Sequence, residues 1–114
     1  MWLAGERAMT TTIDSLAGLP GADLISQGLA DLARSRPTAE AALVEVARAR
    51  LAELGLSVEG RTVGDQDAEL VLYARLGERD PDGDPYGLYR AWLDQLVSFM
   101  SALGHRREFD ARRS

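Results

Sequence analysis

"DPYGLYRAWLDQLVSFMSALG", residues 84–104, decides how this chain folds. Tyr89, Leu93, Leu96, Met100 and Leu103 recur at spacings of 4, 3, 4 and 3, the rhythm of one helical face. Asp84 stands where a side-chain oxygen caps a first turn. Pro85 follows at the first helical position, where its missing amide hydrogen costs nothing, and Gly104 stands where such a helix ends. At about 100° per residue, Leu88, Phe99, Trp92, Leu103, Leu96, Tyr89, Met100, Leu93, Tyr86 and Val97 spread over roughly 180° of the circumference. A helix that packs on a core needs an apolar stripe only somewhat wider than about 100°. This one must sit centrally among its neighbours or offer part of its surface to another chain.

The upstream segments show the same period and almost no alternation. In "GADLISQGLADLARS" the positions Leu24, Ile25, Gly28, Leu29, Leu32 and Ala33 share a face, which predicts a first helix over 21–35 entered through Pro20 and Gly21. A second helix follows, capped by the Thr38 hydroxyl, with Glu40 complementing the dipole of its first turn. Leu43, Val44, Val46, Ala47, Leu51 and Leu54 form its apolar arc. Gly55 closes it in a left-handed conformation, with Leu56 folding back on Leu51. Residues 57–67, "SVEGRTVGDQD", read as a loop that ends in a capping Asp65 or Asp67. In "AELVLYARLG" the large apolar side chains point to every side of a helix, which predicts a short, fully buried one. The expected fold is all-α: a four-helix single domain made of a helical hairpin, a short buried helix and a long C-terminal aromatic helix. It spans 20–104, between a polar N-terminal arm over 1–19 and a basic tail, "HRREFDARRS", over 105–114.

Composition excludes several classes of function. There is no cysteine, hence no disulfide and no thiolate site, which points to a cytoplasmic home. No apolar run approaches the roughly 18 residues that cross a bilayer, and the opening residues carry no signal-peptide core. A net charge of -5 opposes nonspecific binding to nucleic acid, whose phosphates demand cations. All 13 basic residues are arginine, which reflects codon usage in a GC-rich genome and removes any phosphate loop, whose lysine is obligatory. Neither a dinucleotide fingerprint nor a nucleophile elbow is present, and no cofactor is implied. His105 is the single histidine; at a helix end it would stabilise the dipole.

Two features stand out against this background. Glu78, Asp80, Asp82, Gly83 and Asp84 match the first, third, fifth, sixth and seventh places of a calcium loop, but Tyr89 occupies the closing place and Pro85 already starts a helix. Turn formation explains the same residues, so 78–84 is expected to be a solvated hinge and a rim for a basic partner. Arg50 falls between Val46 and Leu43, inside the apolar arc of the second helix, where a polar group needs a reason. Its stem then snorkels to solvent, or its charge joins an acid of 78–84 or of a partner.

These features converge on a non-enzymatic, helical protein-protein interaction module, self-associating or an accessory subunit of another protein. The expected contact residues are Tyr86, Tyr89, Trp92, Leu96, Phe99 and Met100, with Arg50 at the polar rim, because aromatics beside arginine dominate interface energetics. The alternative is a bundle that holds a small apolar ligand or cofactor between its helices, lined by the same side chains.

Overall fold

The computed structural model describes Leu16 and residues 18–113. Among the described residues five helices follow one another: α1 (Ala22–Ala33), α2 (Ala39–Val46), α3 (Arg48–Glu53), α4 (Ala68–Arg79) and α5 (Pro85–Arg113). Among the described residues there is no strand. The expected all-α single domain is what forms.

The predicted caps are in place. The Thr38 hydroxyl accepts from the Ala41 amide at 3.1 Å, Asp67 accepts from the Glu69 amide at 2.9 Å, and Asp84 accepts from the Gly87 amide at 3.0 Å. At Gly55 (φ 93°) the chain turns left-handed. Leu56 N–H reaches back to the Leu51 carbonyl at 2.9 Å, and Gly55 N–H to that of Ala52 at 3.0 Å. Both orphan carbonyls are thereby satisfied in a Schellman ending.

The centre of the fold is α2, "AEAALVEV". Ala39, Ala41, Ala42, Leu43, Val44 and Glu45 are all buried. Small alanines let α1 come close on one side and α4 on the other. Where α1 crosses, a Cβ on Gly28 would press into the Glu40 carbonyl and the Val44 side chain. Leu16, Ile25, Leu32, Leu43, Leu51, Leu72, Leu76 and Phe99 complete the core.

Burial on all sides leaves Glu45 without water, and its carboxylate is satisfied from the loop that follows α3. The Thr62 amide donates to both oxygens at 3.2 Å and the Thr62 hydroxyl donates at 2.8 Å. Arg48 lies 3.4 Å away and also donates to the carbonyls of Val58 and Gly60. Arg75 of α4 grips the same loop, donating to the Thr62 hydroxyl at 3.1 Å, the Thr62 carbonyl at 3.0 Å and the Thr38 carbonyl at 3.0 Å. On the other flank, buried Asp31 accepts from the Thr38 hydroxyl at 2.6 Å and from Gln27 at 2.9 Å.

Four expectations are corrected. The second helix is two, since the chain bends at Ala47 (φ -109°, ψ 19°), between the residues Glu45 and Arg48 that hold the loop. The short buried helix is α2 and not α4: only Leu72 and Leu76 of α4 are buried, while Leu70 and Tyr73 face solvent. Gly104 does not end the last helix, and 105–113 continue it as helix. His105 is accordingly inside a helix and exposed. Of the expected N-terminal arm, 1–15 and 17 lie outside the described residues, while Leu16 is buried in the core.

Gly104 passes through helical backbone beside Leu54, and the Arg107 guanidinium beyond it fills the space over Gly55 at the end of α3. A cation there meets the negative end of a helix.

Three substitutions check this packing by chemical denaturation. Gly28→Ala is expected to lower stability by about 1–3 kcal/mol, because a backbone carbonyl cannot yield. Gly104→Ala should raise it by about 0.5–1 kcal/mol, since the added methyl meets Leu54 at an ordinary 3.6 Å. Thr62→Val keeps the shape but removes the hydroxyl shared by Glu45 and Arg75, and should cost about 1–3 kcal/mol.

Candidate functional site

The aromatic face of α5 divides between the core and the surface. Trp92, Leu96 and Phe99 are 7%, 3% and 0% exposed within the single chain. Although expected to meet a partner, they belong to the core of the single chain, in one cluster with Leu72 and Leu76 of α4 and Leu43 and Val44 of α2. Tyr89 and Met100 are half-buried and Tyr86 is exposed. Arg50, the expected rim cation, points to solvent and pairs with Glu53 at 3.1 Å on its own helix. No pairing with the 78–84 loop forms among the described residues. The bend at Ala47 resets the helical phase, which removes Arg50 from the apolar arc that an unbroken helix would give it.

Trp92 has an internal task. The Arg79 guanidinium of α4 lies over its ring, 5.7 Å from the centroid, and makes a two-pronged ion pair with Glu40 of α2 at 2.7 and 3.1 Å. Three helices are thus braced through one arginine. Arg79 hydrogen bonding holds the Glu40 carboxyl below its ordinary value, outweighing the opposing effect of burial.

What remains outside is a strip along the α4–α5 hairpin. Gly77 lies against Pro85 and the Tyr73 ring meets that of Tyr89, so the two helices run antiparallel. Along these two helices large apolar side chains stay accessible: Leu70 is 70% exposed, Val97 60%, Tyr86 56% and Tyr73 41%. Half-buried Tyr89 and Leu93 lie between them. Tyr73 and Tyr89 pack edge-to-face with centroids 5.7 Å apart, and Tyr86 tilts over Tyr89 at 6.5 Å. The Tyr86 hydroxyl accepts from Arg90 at 3.3 Å, which further limits the freedom of that ring. Rings already held in place lose little entropy when a partner covers them.

Leu70 and Tyr73 escaped the sequence reading. The cue was present, since large apolar residues on every side of a 12-residue helix signal two buried faces rather than one, but only the packing shows which face is left over.

The acidic hinge behaves as a turn. Asp84 caps α5, and among the described residues no three acids or histidines converge as metal ligands. No described helix is long and apolar enough to cross a membrane. Comparison with protein-family models, curated proteins and solved structures returned no match.

The Glu40–Arg79 brace carries a pH signature. Because the folded state depresses the Glu40 pKa, its contribution is complete at neutral pH, above the unfolded carboxylate value, and is lost as pH falls through the folded value. The stability advantage of the wild type over Glu40→Gln should therefore shrink in acid, below about pH 4. Urea denaturation of both proteins at several pH values reads this directly; a constant difference would deny the brace its charge.

Proposed function

We propose that the protein is a helical interaction module that docks another polypeptide on the outer face of its α4–α5 hairpin. The carrying observation is the set of accessible large apolar side chains on these two helices, Leu70, Tyr73, Tyr86 and Val97, with Tyr73 and Tyr86 joined through Tyr89. Scattered exposed apolar residues are normal on a protein surface, whereas a patch of this kind rimmed by charge marks a contact site. Covering one of its tyrosines would supply about 2 kcal/mol. Trp92, Leu96 and Phe99 act beneath it, as the packed floor that holds α5 in register.

Site-specific photo-crosslinking tests the docking role. A benzoylphenylalanine placed at position 86 or 97, in cells that make the protein, is expected to give one discrete adduct. The same probe at the exposed loop position 59 should give none. The adduct should vanish on Leu70→Ser, a substitution expected to change stability by no more than about 0.5 kcal/mol because the side chain is exposed. Identical adducts from positions 59 and 86 would rule the hairpin face out.

A further inference from the structure

The charge around this strip is one-sided. Between Asp67 and Gly104 the chain carries seven carboxylates and three arginines. Two of those arginines are engaged elsewhere: Arg75 by the carbonyls of Thr38 and Thr62, and Arg79 by Glu40. Only Arg90 stays beside the strip, bound to the Tyr86 hydroxyl. Asp67 and Glu69 stand at the start of α4, Glu78, Asp80 and Asp82 at the turn of the hairpin, and Asp94 one turn before Val97. All six are exposed, and none has an ion pair among the described residues. Their field reaches the rings: after burial, the carboxylates of Glu69 and Asp67 are the largest causes that keep the Tyr89 phenol above its ordinary value.

Resting on the docking role proposed above, we infer that the occupant of the α4–α5 seam is a basic amphipathic helix, with apolar anchors over the tyrosines and arginine or lysine along both flanks. Two antiparallel helices leave a groove that a third helix fills with side chains at helical spacing. Cations on its flanks meet unpaired carboxylates at the rim and tyrosine faces inside it, two kinds of site that both select positive charge. A second copy of this chain would set the same excess of negative charge against itself. Nucleic acid and anionic membranes carry the wrong sign for the same reason.

Selection from a displayed library decides the matter. The library holds amphipathic helices with a fixed leucine and alanine stripe and flanks randomised among Arg, Lys, Glu, Gln and Ser, and the full chain is the bait. Basic flanks are expected to be enriched at least tenfold over glutamate. A selected peptide should lose at least tenfold in affinity on Glu69→Gln/Asp82→Asn/Asp94→Asn, and its amide shift changes should centre on Leu70 and Val97. Neutral or acidic flanks selected on that same face would overturn the basic partner and leave the docking role standing. So would a dimer in sedimentation that Val97→Ser abolishes. No enriched binders, or binders indifferent to Leu70→Ser and Val97→Ser, would bring down both.

Discussion

Burial strips water from a carboxylate, and α2 carries a buried one, Glu45, beside a partly exposed one, Glu40. Glu40 and Glu45 point in different directions from a segment otherwise built of alanine, leucine and valine. Glu45 must find donors inside the protein, because an isolated buried charge costs several kcal/mol, while Glu40 gains an ion pair at the edge of the core. Glu45 finds them in Thr62 and Arg48, which draws the 57–66 loop across the helices. Glu40 finds them in Arg79, which fixes α4. The polar requirements of one short helix thereby place most of the remaining chain.

The surface strip is a consequence of that placement. Arg79 reaches Glu40 only if α4 turns Leu72 and Leu76 inward, and that rotation puts Leu70 and Tyr73 on the outside. The same guanidinium lies over Trp92, so α5 presents Trp92, Leu96 and Phe99 to the core and Tyr86 and Val97 to solvent. Tyr73 and Tyr89 close the seam between the two helices. Core and candidate docking face are two sides of one constraint, which is why the aromatic anchors that look most like contact residues in the sequence are the ones that hold the helices together.

The C-terminal course of α5 follows a similar logic. Its 29 residues, about 43 Å at the usual rise, make it more than twice as long as the 12-residue α1 and α4. Gly104, which by itself favours a stop, is carried through because Leu103 is buried just before it and Arg107 lies over the end of α3 just after it. Two tertiary contacts on either side outweigh a propensity deficit of about 1 kcal/mol.

Local chemistry was legible in the residues alone. Caps at Thr38, Asp67 and Asp84 and the left-handed turn at Gly55 depend on side chains and backbone within a few positions of each other, and all formed where the letters placed them. So did the helical class, because a period of 3.6 is written in every segment. The bend at Ala47, the central place of α2 and the division of the apolar face of α5 were decided only by the tertiary structure. Nothing near Ala47 breaks a helix, alanine signals no strong preference for burial, and a wide apolar arc reads the same whether its partners are internal or foreign. Each outcome turns on long-range pairing, Glu45 with Thr62, Gly28 with α2 and Arg79 with Trp92, and the free energy of such contacts exists only once distant segments meet.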